Sequence, residues 1–428
     1  MISATIDVVG EKGYAELTVS DVIKRAGVSR RAFYEHFSNR EECFLAAYDS
    51  IMADSAAAVG GAFGSGENLP VDAQGAIETI FQRALRRPDA VRVLLVEIGT
   101  AGPAGITRRE QVGASYEALL RERLGLPRGE GPIANPVLRG VIGGIAAVLY
   151  SHMQSGKRKQ LLELVPQLVR WTTSYLPAPP ELMNFRDASP DTLPRNRVGG
   201  RAPGTLSLGA ASSKRRRLVG GEHSVSPIYV AHSQRLRILD AVANLTAANG
   251  YAALTVEGIA AEAAISLQAF YEHFPSKEDA FLVAYEIGHD KGLALVERAF
   301  DSHEDWRIGV RAGIQALFDY LASEPAFAHL ALVDVQAASS RVTERAARGV
   351  TSYTEMLAPG FSETPREQRP PHVTSAAIAG GLFELCLHHA LQRRMDELPL
   401  LVPRATYFAL APFIGADAAG KVAIDGKL

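Results

Sequence analysis

The chain carries the same long pattern twice, and no fold is admissible that does not build it twice. Gly13-Tyr14-Ala15-Glu16-Leu17-Thr18-Val19 returns as Gly250-Tyr251-Ala252-Ala253-Leu254-Thr255-Val256, displaced by 237 residues. Ala32-Phe33-Tyr34-Glu35-His36-Phe37 returns as Ala269-Phe270-Tyr271-Glu272-His273-Phe274 at the same displacement. Over 13–49 against 250–286, 19 of 37 positions are identical. Further along, Pro88 meets Pro325, Ser115-Tyr116 meets Ser352-Tyr353, Gly143-Gly144 meets Gly380-Gly381 and Leu164-Val165-Pro166 meets Leu401-Val402-Pro403. The repeated unit is about 175 residues long. Its first part is close in detail and the remainder only in pattern, as expected if a shared partner constrains the two heads while the bodies diverge.

Between the copies, 177–225 is rich in Pro, Gly, Ser and Arg and poor in large apolar residues. Such a stretch cannot bury enough surface to offset its ordering entropy, so it reads as a flexible linker. Its Lys214-Arg215-Arg216-Arg217 run suits a solvated tether, with an extra phosphate contact as the functional alternative. The formal net charge is -2, so composition alone does not announce a nucleic-acid binder. No long uncharged apolar run points to a membrane span, and the start lacks a secretion-signal pattern. Cys43 and Cys386 do not occupy matching places in the repeat, and read as buried free thiols of a cytoplasmic protein.

Each copy opens with three short helical patterns. In the second, Leu236, Leu239 and Ala243 recur at helical spacing from Ser233 and stop at Gly250. Thr255 caps a helix over Val256–Ala263, Ala264-Ile265 turns, and Ser266 caps a third helix to Phe274. In the first, Thr18 caps Val19–Ala26, Gly27-Val28 turns, and Ser29 caps Arg30–Phe37. Two short helices across a tight turn are a helix-turn-helix signal. A longer helix follows, capped by Ser38 in one copy and Ser276 in the other, with acidic residues in its first turn. Phe33, Phe37, Phe270 and Phe274 are expected in the cores.

Gly-Tyr-x-x-Leu-Thr-Val, then Gly-Val-Ser, then Ala-Phe-Tyr-Glu-His-Phe followed by a basic residue and acids, resembles the N-terminal domain of the TetR/AcrR family of regulators, over about 50 residues of each copy. The resemblance implies an all-α chain: two subunits, each a three-helix DNA-binding head on a helical ligand-binding and dimerisation body. The domains are then 1–48 and 49–176, the linker 177–225, then 226–285 and 286–416, with 417–428 as a C-terminal tail. Family members pair through their last two helices, so here the two halves are expected to form an intramolecular pseudo-dimer, with pairing of two such chains left open. Most members are repressors released from a double-stranded operator by a small molecule. Two departures stand out: Ala264 replaces the turn glycine, and Met1 aligns with Ile238, leaving no counterpart to Arg235 and Arg237.

A recognition helix points its N-terminal residues at base edges. These are Ser29, Arg30 and Arg31 in one copy and Ser266, Leu267 and Gln268 in the other. Arginine pairs with guanine, glutamine with adenine, and leucine meets a thymine methyl, so an asymmetric operator is expected. Tyr34 and Tyr271 resemble the family's backbone-contacting tyrosine, and His36, His273, Arg40 and Lys277 its phosphate contacts. Thr18 and Thr255 offer hydroxyls to phosphate.

In the bodies, Val137, Val141, Ile145 and Val148 share one helical face, as do Ile378, Leu382 and Leu385. Pro166 and Pro403 would kink or start a helix. Glu97, Tyr116, Asp334 and Tyr353 match across the copies on apolar stretches and are candidate polar anchors for an unknown effector. No metal-ligand spacing, phosphate loop or nucleophile motif is present, so neither a cofactor nor catalysis is expected. The rival reading is a ligand-binding or interaction protein in which one or both heads are inactive.

Overall fold

A computed structural model describes residues 1–64, 68–124, 135–176, 182 and 227–426. The expected linker with its Lys214–Arg217 run lies outside the described residues, Leu182 apart. Among the described residues all regular structure is helical. The first half runs α1 (Ile2–Lys12), α2 (Val19–Ala26), α3 (Arg30–His36), α4 (Arg40–Ala62), α5 (Leu69–Arg86) and α6 (Pro88–Arg92). A π-helical turn (Val93–Glu97), α7 (Ile98–Thr100), α8 (Gly102–Arg123), α9 (Pro136–Gln154), a 3-10 segment (Arg158–Leu164) and α10 (Val165–Thr173) complete it. The second half runs α11 (Pro227–Asn249), α12 (Val256–Glu262), α13 (Leu267–His273), α14 (Lys277–Asp301), α15 (Trp306–Ser323) and α16 (Pro325–Leu332). A 3-10 turn (Asp334–Ala337), α17 (Ser340–Ser352), α18 (Ala358–Glu363), α19 (Val373–Leu391), α20 (Val402–Ile414) and α21 (Ala416–Asp425) follow. The 237-residue displacement carries α3 onto α13, α5 onto α15 and α9 onto α19 end for end.

Local chemistry sets these boundaries. Thr18 and Asp21 form a reciprocal capping box at α2, and Thr255 accepts the Gly258 amide at α12. Ser29 and Ser266 each accept the amide three residues on, 3.1 Å away. The expected Ser38 cap moves by one residue: Asn39 takes the Glu42 amide, while the Ser38 amide donates back to the Glu42 carboxylate at 2.7 Å. Asn39 wins because its carbonyl reaches the third amide of the first turn. Ser276 caps α14 as expected. Pro166 and Pro403 sit in the first turns of α10 and α20, where no intrahelical donor is needed, so they start these helices rather than kink them. The residues expected as a tail form α21 instead, because Ala419, Val422 and Ala423 make an apolar face that packs on α20.

Each head closes around aromatic side chains. Phe33, Phe44, Leu17 and Val22 are fully buried in the first, and Phe270, Phe281 and Ile259 in the second. Phe274 is buried beneath the Arg235 guanidinium, 4.5 Å from its ring, whereas Phe37 is only half-buried. Cys43 is a free thiol bonded to the Thr5 hydroxyl, and Cys386 is free and buried.

The halves meet through α9 and α19, the most extensive contact between them. Glycines permit the approach: a Cβ at Gly143 would lie 2.4 Å from that of Glu384, and one at Gly380 would lie 2.2 Å from that of Ala147. α9 is long and apolar enough in composition to cross a membrane, yet most of it is buried inside the protein, against α19 above all. α10 adds Trp171 and the turn after it Tyr175, and Tyr175 stacks on Phe408 of α20 at 5.0 Å. Hydroxyls bond reciprocally across the halves, Tyr175 to the Phe408 carbonyl at 3.1 Å and Tyr407 to the Tyr175 carbonyl at 2.7 Å.

The helix-turn-helix turn is left-handed in both heads, with φ 67° at Gly27 and φ 52° at Ala264. The second turn therefore keeps its geometry at the expense of a strained alanine, whose carbonyl accepts from Arg237 at 3.4 Å. Ala264→Gly is expected to stabilise the second head by about 0.5–1 kcal/mol, and Gly27→Ala to destabilise the first by a similar amount. Nothing lies within 4 Å of a Cβ at Gly27, so the effect there is conformational. Urea midpoints of the single variants measure both; a loss of stability on Ala264→Gly would refute the strain.

Candidate nucleic-acid interface and effector cavities

The two recognition helices present the same face to solvent. Ser29, Arg30, Arg31, Tyr34 and His36 are exposed on α3, and Ser266, Leu267, Gln268 and Tyr271 on α13. Tyr34 is 52% exposed and Tyr271 58%, while the phenylalanine before each is fully buried and meets it edge to face. A large ring held out of the core by a buried neighbour is available to lie along a phosphate backbone. Arg31 reaches Glu35 at 3.1 Å, and Gln268, its counterpart, reaches Glu272 at 3.3 Å. These exposed one-turn contacts are weak and leave the side chains free to change partner. Arg30 has no such tie among the described contacts.

Other expected contact residues are engaged within the protein. Arg40 donates to the Leu17 carbonyl at 2.6 Å and lies over the Tyr14 ring; Lys277 donates to the Leu254 carbonyl at 2.7 Å and lies over the Tyr251 ring. Both hold the turn before the second helix of the head. His273 is half-buried, its Nε2 paired with Gln234 at 3.2 Å, whereas His36 is exposed. Thr18 and Thr255 are exposed, but their hydroxyls already cap helices.

Each body holds a cavity. In the first half it has a volume of about 280 Å³ and an apolar wall that includes Met52, Leu95, Leu120 and Val141, with Tyr116 and Arg109 among the polar groups. In the second it is about 90 Å³, lined by Phe318, Leu332, Phe383 and Cys386, with Tyr353 and His289. Tyr116 and Tyr353 thus face cavities, and burial pushes both phenols up. The Tyr353 hydroxyl donates to the His289 carbonyl at 3.2 Å. α4 and α14 supply Tyr48 and Tyr285 to these walls, so the helix that leads out of each head is also a wall of the cavity behind it.

Glu97 and Asp334 line neither cavity. Glu97 accepts the Tyr14 amide at 2.8 Å and the Arg92 Nε at 2.8 Å, and Arg92 donates on to the Gly10 carbonyl. Asp334 accepts the Tyr251 amide at 3.1 Å and pairs with His329 at 2.6 Å. His329 is the counterpart of Arg92, so one latch between head and body is built twice with different cations. Desolvation pushes the Asp334 carboxyl up, against the pull of His329. These carboxylates look like pocket anchors in sequence because they are lone acids on apolar stretches; what they satisfy is a backbone amide more than eighty residues away. The signal that marks them is the paired change Arg92/Glu97 to His329/Asp334.

Elsewhere, Cys386, His388 and His389 come together without forming a metal-ligand cluster; among the described residues no such group occurs. His389 Nδ1 donates to the Leu385 carbonyl, and burial lowers the His389 pKa to about 4; His152 Nδ1 donates to the Val148 carbonyl in the same way.

Two exposed recognition helices on compact three-helix heads, each latched to a helical body, define a DNA-binding regulator. The sequence profile of the bacterial regulatory proteins of the tetR family matches residues 1–47 and again 238–284. The chain thus carries the N-terminal domain of that family twice. Among solved structures it is similar to a fatty acid degradation regulator from Bacillus halodurans, at 17% identity and a TM-score of 0.39, over 42% of this chain and 97% of that one. A tetR-family regulatory protein from Rhodococcus RHA1 gives 21% identity and 0.34, over 43% and 98%. A regulator of the family from Marinobacter aquaeolei VT8 gives 17% and 0.30, over 44% and 95%. No curated protein sequence matches.

Glu97→Ala is expected to leave the buried Tyr14 amide unsatisfied, at about 1–3 kcal/mol, and to speed hydrogen exchange there more than in α9. Asp334→Ala should do the same at Tyr251. Unchanged protection at Tyr14 and Tyr251 would show that the latches do not hold the heads.

Proposed function

We propose that the chain is a cytoplasmic, sequence-specific repressor that reads an asymmetric operator with its two unlike heads and is released by a small apolar or amphipathic effector. The observation that carries this reading is the pair of solvent-facing helix starts, Ser29-Arg30-Arg31 and Ser266-Leu267-Gln268, on heads whose cores and turns are otherwise alike. Arg30 and Arg31 would read guanine in one half-site; Gln268 and Leu267 would read adenine and a thymine methyl in the other. Tyr34, Tyr271, His36, Arg40, Lys277 and the two threonines would position the backbone. Arg40 and Lys277 would do so from their place beside the turn of the head.

Effector release has a physical route. In the first half, Leu94 and Leu95 line the cavity, and two residues on Glu97 holds the Tyr14 amide. In the second, Ala331 and Leu332 line the cavity, and Asp334 holds the Tyr251 amide. An effector that spreads either wall would move the carboxylate and with it the head. The irregular helical turns at 93–97 and 334–337 also touch each other, so displacement of one latch would reach the other. The first cavity, being larger, is the better candidate for an extended amphipathic molecule. The proposed domain limits follow the repeat: heads at 1–48 and 226–285, bodies at 49–176 and 286–416, the second body being extended by α21.

Footprinting on the DNA upstream of the chain's own reading frame tests the reading. The expected result is one protected site with two unlike halves. Arg30→Ala and Arg31→Ala should each weaken binding by about 1–3 kcal/mol, at one half only, and Gln268→Ala should act at the other. If the arginine variants bind like the parent while Gln268→Ala abolishes binding, only the second head reads bases. If the intact chain shifts no promoter fragment at low salt, the regulator reading is wrong and the cavities belong to a ligand-binding protein.

A further inference from the structure

One cluster of buried charge crosses the boundary between the halves. Arg139 of α9 donates through Nε to Glu384 of α19 at 2.9 Å and through an amino group to Glu110 of α8 at 3.0 Å. Arg109 of α8 pairs with Glu384 as well, and His388 of α19 pairs with Glu110. Arg139 is 3% exposed, and Glu110, Glu384 and His388 are buried too. Charge in such a place is tolerated only when it is matched.

The repeat shows how unequally this charge is shared. Displaced by 237, Arg109, Glu110 and Arg139 become Ala346, Ala347 and Ala376. Displaced the other way, Glu384 and His388 become Ala147 and Ser151. The symmetry of the contact itself is intact: Glu384 lies on Gly143, and its counterpart Ala147 lies on Gly380, the counterpart of Gly143. The same place thus exists twice, and it is charged once. The first half carries two guanidinium groups and one carboxylate there; the second carries one carboxylate and an imidazole.

We propose that this face is heterospecific: a first half pairs with a second half, of its own or another chain, and not with its own kind. Two first halves would bring together two copies of Arg109 and Arg139, with the methyl of Ala147 where Glu384 should be. Two second halves would bury two carboxylates at position 384 against alanine. Only the mixed pair balances two cations with two anions. The arrangement also makes the two cavities unequal, because Arg109, Arg139 and Glu384 all line the first cavity and none lines the second. The first cavity is closed by a residue of the other half, so it is complete only in the mixed pair. The proposal stands on pairing alone and does not require that the chain bind an operator or an effector.

The test begins with the assembled full chain. A protease site placed between residues 190 and 215 is cleaved after purification, and tagged and untagged preparations are mixed, carried through their unfolding transition in urea, and returned to buffer. Native mass spectrometry then reads the pairs. The expected products are first–second pairs only, with tagged and untagged halves scrambled. First–first and second–second pairs in statistical proportion would overturn the proposal, as would halves that return unpaired. In the same protocol Arg109→Ala, Glu110→Ala, Arg139→Ala, Glu384→Ala and His388→Ser together give every position its counterpart's residue, and like pairs should appear. Should that variant fail to refold, Glu384→Gln keeps the shape and removes the charge that two second halves would bury, and second–second pairs should emerge. Retention of full selectivity in a variant that refolds would show that the charges are not its source.

Discussion

The crossing of α9 and α19 is the constraint on which the rest of the molecule depends. Helices approach this closely only where small residues let backbone meet backbone, and the glycines at 143, 144, 380 and 381 occupy that crossing, with the Glu384 and Ala147 side chains of the other half against Gly143 and Gly380 and the other half's backbone against Gly144 and Gly381. The crossing decides which faces of the two bodies are buried, where Trp171, Tyr175, Tyr407 and Phe408 must pack, and which wall of the first cavity is borrowed from the second half. It also brings the latch segments at 93–97 and 334–337 side by side, at the base of the heads. The distance between recognition helices is therefore a property of the pairing, not of either head.

Against this symmetric frame the two halves have been tuned differently at every level. The recognition helices offer arginines in one head and leucine and glutamine in the other. The turn between helices is relaxed at Gly27 and strained at Ala264. The latch pairs a carboxylate with arginine in one half and with histidine in the other. The cavities differ about threefold in volume. An ordinary dimer of identical subunits could vary none of these independently, because each change would appear on both sides. Fusion into one chain removes that coupling, and the covalent connection makes the pairing of the two halves intramolecular, at a raised effective concentration.

Much of this was legible in the sequence, for reasons that also explain what was not. The heads were readable because a displacement of 237 residues aligned caps, turns and aromatic positions, and each has a local cause: a hydroxyl accepting an amide three residues on, a buried ring every fourth residue. The start of the helix after the recognition helix was misplaced by one residue, since Ser38 and Asn39 can both cap and only the backbone decides. The C-terminal residues looked like a tail because their apolar face is made of alanine and valine, which small-residue composition conceals until α20 is beside it. Glu97 and Asp334 resemble pocket anchors because each is a lone acid on an apolar stretch, whereas their partners are amides whose approach depends on tertiary structure.

Arg109, Arg139 and Glu384 were invisible to pattern reasoning for a different reason. Periodicity averages them into an apolar helix face, and a repeat search rewards agreement, so positions where the copies disagree are passed over. In a duplicated chain the disagreements carry information that the agreements cannot. Where both copies agree, the residue serves something each half must do alone, such as closing a head around Phe33 or Phe270. Where an arginine faces an alanine in its counterpart, the residue serves something that exists once in the molecule. A buried guanidinium present in only one copy must be matched by anions that are likewise present once; for Arg139 these are Glu110 of its own half and Glu384, 245 positions away in the other half.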